Sequence, residues 1–461
     1  MSPRTRSRGL LAAALLTLFA SPSSRAADGL LDTSFRGTGK FLFSVASLGG
    51  KSAAVAPDGR LLIGYTALLS GSDSDMRVVP VPDLGSTTFC ASYHPDQGGS
   101  DEDRLADIAV DGNRVYLAGA SAGPPADSDF RVAIGAFDLT TCAIDSSFGG
   151  GAGAILNSTL SFEATAFRVD AFGDLLFAAQ LGPAGARELL SMRVSSTAVA
   201  DQIFEVDLFT PLGAESFETQ GLFLQPDGKR VIVGTAVLPG GDRDVAVLRL
   251  TAAGALDSTF SGDGILGFSY DIIDAGADEG LAVAVLPGGK IVIGGRVERA
   301  VGSQAAIAVL TPTGGFDNSF GSVGRYAFDF LGAQRADAVR ALVLQGDGKI
   351  VAAGDTGPAA LSDRDFAVAR LHRAGSQPLD ATFGNSGRTI VPFDQGGSIA
   401  DVVHDMTLGQ GGRITLVGSV ATAAGTAVAA VRLQNAYIFA DGFEWGTIFG
   451  SDWGGVWGGI E

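Results

Sequence analysis

Histidine is scarce in this chain: the three present, His94, His372 and His404, fall at unrelated points along 461 residues. A zinc site or a serine–histidine–acid triad needs such residues grouped in space, so neither chemistry is written into the sequence. Tryptophan is absent until Trp445, Trp453 and Trp457, so no unit in the body of the chain is built on that residue. Basic residues are few as well, 32 against 50 acidic ones, for a formal net charge of −18. A surface of that sign repels phosphate backbones and anionic lipid, which disfavours a nucleic-acid partner. Long hydrophobic runs are missing after residue 20, because charged residues and glycines interrupt each one. No segment there has the roughly twenty apolar residues of a membrane-spanning helix.

The first residues have a different character. Arg4, Arg6 and Arg8 precede the apolar run Leu10–Ala20, and Ser24-Arg25-Ala26-Ala27 follows. Basic start, short apolar centre and small residues make a secretory signal over residues 1–26, with cleavage after Ala26. Its loss removes four arginines and no acids, leaving the exported chain more acidic still. The expected location is periplasmic, cell-surface or extracellular.

Glycine is abundant, at 66 residues, yet 46% of the chain is hydrophobic. That much apolar surface argues for a packed fold and against disorder. Length alone suggests two or three domains, but a repeat escapes that limit. The segments Ala56-Pro57-Asp58-Gly59-Arg60, Gln225-Pro226-Asp227-Gly228-Lys229 and Gln345-Gly346-Asp347-Gly348-Lys349 are copies of one motif, each followed by an apolar run ending in glycine. Looser copies centre on Gly112, Gly173, Gly289 and Gly412, giving seven turn glycines about sixty residues apart. Apolar runs on both sides make each a hairpin, in which the aspartate bonds the local backbone and the glycine supplies positive φ.

Two further markers keep the same phase. Leu31-Asp32-Thr33-Ser34-Phe35 recurs around Asp145, Asp257, Asp317 and Asp380, and reads as a turn followed by a phenylalanine plug. A short strand precedes it, as in Val245–Leu250 and Phe366–Leu371. Four strands in about sixty residues match one propeller blade. The expectation is an all-β, seven-bladed β-propeller of four-stranded blades over residues 28–434. The chain starts on the Leu-Asp-Thr-Ser-Phe turn and its repeats stop just before that turn would recur, so N- and C-terminal strands can close the ring in one blade. An open β-solenoid is the alternative.

Leu-Asp-x-Thr-Phe-Gly, Gln-Pro-Asp-Gly-Lys and a strand ending Arg-Leu together resemble the delta-60 repeat family of bacterial β-propellers, across residues 28 to about 434. The resemblance implies an exported propeller and supplies no catalytic residue. The absence of a repeating tryptophan sets the chain apart from quinoprotein and sialidase propellers. Residues 435–461 form a Gly- and Trp-rich tail in which Asp441-Gly442-Phe443-Glu444-Trp445-Gly446 is similar to an Asp-Gly-Phe-Glu-x-Gly ending of exported gammaproteobacterial proteins. It reads either as a sorting tag or as a strap packed on the propeller.

Chemistry is harder to find. Gly119-Ala120-Ser121-Ala122-Gly123 has the pattern of a nucleophile elbow, but no helix follows it. Gly50-Lys51-Ser52 looks like the end of a phosphate loop whose first glycine is missing. Asp73-Ser74-Asp75 and Asp127-Ser128-Asp129 begin like a calcium loop that does not continue, and read as turns. Acids recur ten or eleven positions before the hairpin glycines: Glu163, Glu218, Asp278, Asp337 and Asp401, with Asp101 a looser counterpart. In a propeller such positions form a ring, which at a channel mouth would take calcium or a cationic ligand; solvated loop carboxylates are the plainer alternative. No other cofactor is expected. Cys90 and Cys142 occupy comparable linkers in adjacent units, and export permits a disulfide if their Cα atoms come within about 7 Å.

The functional expectation is a monomeric, non-enzymatic binding or scaffold module for an unknown protein or carbohydrate ligand. The alternative is a carbohydrate-active hydrolase or lyase that uses carboxylates at the propeller mouth. It requires two acids unlike their repeat counterparts, and no unit stands out in that way.

Overall fold

A computed structural model describes residues 28–435, except 71–72, 86, 88–89, 91, 94–101, 123–129, 152, 157–161, 184, 271–275, 360–362 and 394–399. The expected signal segment, His94, Asp101, Asp127–Asp129 and the tail with its three tryptophans lie outside the described residues. The chain opens with β1 (Lys40–Phe43) and then lays down blades in order. Blade one is β2 (Ser47–Val55), β3 (Leu61–Ser70) and β4 (Asp73–Val81). Blade two is β5 (Asp103–Asp111), β6 (Arg114–Ala122), β7 (Phe130–Asp138) and β8 (Ala154–Leu156). Blade three is β9 (Phe162–Val169), β10 (Leu175–Leu181), β11 (Glu188–Val194) and β12 (Ala200–Val206). Blade four is β13 (Ser216–Leu224), β14 (Arg230–Val237), β15 (Arg243–Leu250) and β16 (Ile265–Phe268). Blade five is β17 (Asp278–Val285), β18 (Ile291–Glu298), β19 (Ser303–Leu310) and β20 (Arg325–Phe328). Blade six is β21 (Ala338–Leu344), β22 (Ile350–Thr356), β23 (Asp365–Leu371) and β24 (Arg388–Val391). The last blade joins β25 (Val402–Leu408), β26 (Ile414–Thr422) and β27 (Gly425–Leu433) to β1.

The molecule is therefore a seven-bladed β-propeller of antiparallel sheets. Six blades have four strands; in blade one, among the described residues, the outermost position holds a single bridge, Met76 with Tyr93. The ring closes as the ends of the repeat suggest, with β1 paired to β27 from Lys40↔Val431 to Phe43↔Val428. Blades stack face to face, so second and third strands are covered on both sides and are mostly apolar: every residue of β10 and of β22 is buried. Innermost strands face a channel on one side and alternate instead, as in β17.

All seven turn glycines have φ between +54° and +86°, and the aspartates before three of them, Asp58, Asp227 and Asp347, accept the backbone N–H two residues on. The plug phenylalanines Phe35, Phe148, Phe260, Phe320 and Phe383 are fully buried between blades. The three sequence markers meet in one place. Asp380 Oδ1 accepts Thr382 N–H and O–H at 3.1 and 2.6 Å, while its Oδ2 lies 2.8 Å from Arg370 Nε and 3.0 Å from Lys349 Nζ. Asp257 repeats this with Thr259, Arg249 and Lys229, and Asp32 with Ser34, Arg432 and Arg413. The arginines also reach the neighbouring blade: Arg249 donates to the Pro312 carbonyl, and Arg432 to Asp83.

Candidate functional site

Seven innermost strands, β2, β5, β9, β13, β17, β21 and β25, surround the channel, and each carries a β-bulge against its second strand. The register skips Lys51, Ala106, Thr165, Gln220, Leu281, Arg340 and His404 in turn. A bulge turns one extra residue out of the ladder and re-aims it. All seven line one cavity of about 540 Å³ on the axis. Each blade skips one residue at this place, and the seven skipped side chains are all different.

In five blades a glycine of the second strand, Gly119, Gly234, Gly295, Gly354 or Gly418, stands opposite the residue before the bulge, where blades one and three have Tyr65 and Ala179. A Cβ on Gly354 would lie 1.7 Å from the Ala338 carbonyl oxygen, and one on Gly295 would lie 1.8 Å from that of Glu279. At these five glycines the inner strand's displaced carbonyl occupies the space that a Cβ would need.

The ring is electrostatically sided. Blades six, seven and one present Arg340, His404 and Lys51, and blades three to five present Thr165, Gln220 and Leu281. Burial lowers the Lys51 ammonium pKa and Arg340 lowers it further, against the pull of Asp107. Burial, then Lys51 and Arg340, push His404 down to about 3, so its imidazole is neutral at pH 7; its Nε2 lies 3.1 Å from Ser419 Oγ. Further out, Arg104 pairs with Glu102, and Arg187 donates to Gln180.

One position beyond the bulge, five blades carry Ser52, Ala166, Gly221, Ala282 and Ala341, whereas blades two and seven carry Asp107 and Asp405. Two acids thus do depart from their repeat counterparts, contrary to the sequence expectation. The hairpin of blade two is shorter, which takes Asp107 out of step when residues are counted from the turn glycine. Ser52 Oγ lies 2.6 Å from Asp107 Oδ1 and 3.2 Å from Asp405 Oδ2. Each aspartate also accepts a backbone N–H of the next blade, Asp107 from Phe167 at 3.2 Å and Asp405 from Ala53 at 2.7 Å. Burial and the neighbouring Asp107 raise the Asp405 carboxyl to about 6.

The five acids expected to form a ring divide two and three. Glu163 and Glu218 line the cavity, with Glu218 ion-paired to Arg243. Asp278, Asp337 and Asp401 are buried at the entry to their innermost strands. There Asp337 accepts Phe330 N–H at 2.7 Å and Asp401 accepts Phe393 N–H at 3.2 Å, tying the exit of one blade to the start of the next. Among the described residues, no group of three or more His, Cys, Asp or Glu is placed to hold a metal ion. Cys90 and Cys142 are disulfide-bonded, with Cα atoms 4.5 Å apart. Ser74, of the Asp73-Ser74-Asp75 turn, bonds the Asp103 backbone of the next blade.

Sequence reasoning missed the bulge residues. Their signal is positional: six of the seven stand eight residues before the turn glycine, and no two of the seven are the same residue.

A family model described as a domain of unknown function (DUF5122) β-propeller matches residues 225–260 and 345–383. Each segment runs from a hairpin Asp-Gly-Lys to the plug phenylalanine. The match supports a β-propeller repeat family. No curated protein matches the chain. Among solved structures, it is similar to a PL25 ulvan lyase bound to -[GlcA(1-4)Rha3S]-, with TM-score 0.54 and 8% identity over 86% of this chain and 95% of that one. It is also similar to the polysaccharide lyase Uly1, with TM-score 0.51 and 10% identity over 86% and 91%. At these identities the likeness concerns the fold.

Proposed function

We propose that the protein is an exported binding module that takes a polar ligand, an oligosaccharide in the first instance, into its axial cavity. One observation carries this reading: a ring of seven bulges repeats its backbone while its side chains diverge. Repeats that serve only the fold keep their side chains, as the Asp–Arg–Thr clusters do; a position that is released to vary in every blade is one shaped for something asymmetric. The cavity volume fits a small ligand, and its polar lining suits hydroxyl groups. The Cys90–Cys142 disulfide supports an oxidising compartment. The two similar polysaccharide lyases make oligosaccharides the class to screen first. The test is calorimetry of neutral and acidic oligosaccharides against the parent and Gln220→Ala. The expected result is a loss of affinity of about tenfold or more on removing this side chain; affinities that ignore Gln220 throughout would place the ligand elsewhere.

A second reading is favoured by Asp107 and Asp405. Two carboxylates joined through one serine hydroxyl, one of them raised to about 6, resemble the division of labour between base and acid in glycan cleavage. Incubation with oligosaccharides, followed by assay of new reducing ends, checks it. Cleavage lost in Asp405→Asn supports an enzyme, and intact substrate leaves the binding module.

A further inference from the structure

We propose that Lys51, His404 and Arg340 form an oxyanion subsite within the axial cavity, which takes a carboxylate or sulfate group while Thr165 and Gln220 face the ligand's hydroxyls. This inference rests on reading the cavity as the ligand site. Three adjacent blades present these side chains at the same bulge position, so the topology brings them together on one arc of the cavity wall. Their charge is not cancelled locally. Among the described residues Lys51 makes no ion pair and donates no hydrogen bond; Asp107, the carboxylate that attracts it, is engaged by Arg168 at 2.9 Å. Arg340 donates through Nε to Asp355, and the same carboxylate is shared with Arg364, so two guanidinium groups stand on one acid. Asp405, beside the arc, is bound to the backbone of Ala53 and Met406. In a chain with a net charge of −18, a stretch of channel wall that presents two cations and an imidazole is the exception. Lys51 is exposed along the channel, and its ammonium has no partner among the described residues. A ligand oxyanion supplies that partner, with the ammonium and guanidinium as charged donors and the neutral imidazole beside them.

The experiment uses trigalacturonate and its fully methyl-esterified form, in which each carboxylate is neutralised and capped by a methyl group, with sodium sulfate as the inorganic probe. The parent should bind trigalacturonate at least tenfold more tightly than the ester, and sulfate should compete. Lys51→Met should remove that preference without weakening binding of the ester, and Lys51→Arg should retain it. The methionine variant should melt no lower than the parent, because the ammonium it removes has no partner. Equal affinities for acid and ester in the parent, or an unchanged preference in Lys51→Met, would overturn the subsite. If the ester binds in a Gln220-dependent way and the acid gains nothing, the cavity stands as the ligand site and only the oxyanion subsite falls. If neither probe depends on Gln220, the cavity reading fails with it.

Discussion

Removing the Asp380 carboxylate would leave Arg370 buried beside Phe383 with its principal partner gone. Both side chains of that pair are 2% exposed, and stranding one member of a buried pair costs about 3–5 kcal/mol. Asp380→Ala should show that loss in chemical denaturation, whereas Asp347→Ala, at an exposed turn carboxylate, should cost roughly 1 kcal/mol or less. The same carboxylates shape the response to pH. Burial pushes Asp32, Asp257, Asp317 and Asp380 up, but their hydroxyl, lysine and arginine partners outweigh it and lower all four. A lowered acid stabilises the fold above the ordinary carboxylate range and loses that contribution as pH falls through its folded pKa. Asp337 and Asp405 run the other way. Burial raises each to about 6, so their contribution is full below the ordinary range and is lost as pH rises through 6. The melting temperature should therefore peak between about pH 4 and pH 6. Fluorimetry across pH 3–9 checks this, and Asp405→Asn should flatten the alkaline limb.

At the level of the strand, the bulge is the feature that joins fold to site. Gly354→Ala places a methyl group against the Ala338 carbonyl, so β21 must shift and carry Arg340 with it. Both the melting temperature and the affinity for an acidic oligosaccharide should fall, by more than in Gly315→Ala, where φ is not positive and a Cβ would meet nothing nearer than 3.5 Å. The elements themselves were legible in the sequence because hairpin chemistry is local: Asp227-Gly228 and Asp347-Gly348 announce their turns within two residues. The bulges were not, because a skipped register is a relation between two strands, and its trace, Gly295 or Gly354, reads alone as the end of an apolar run. Lys51 shows the consequence. Gly50-Lys51-Ser52 reads from the sequence as an incomplete phosphate loop and is passed over, yet its lysine stands in the cavity. Asp278, Asp337 and Asp401 show the reverse, since even spacing marked positions that the crossover between blades buries.

Across the whole molecule, closure depends on β1. Deleting residues 28–43 would remove the outer strand of the last blade, the Leu31–Leu433 bridge and the Asp32–Arg432 pair together, and the expected result is a lower, broader melting transition by calorimetry. The Cys90–Cys142 bond ties blade one to blade two across 52 residues. Loop-closure entropy gives it about 2–4 kcal/mol, so a reductant should lower the melting temperature of the parent and leave Cys90→Ser unchanged. Closure also sets a time order. Phe41 meets Ala430, so one of the earliest strands made waits for the last, and the wall of the cavity from Arg340 through His404 to Lys51 stays open until then. No fragment of a growing chain possesses the pocket: whatever ligand it takes must be met by the finished protein.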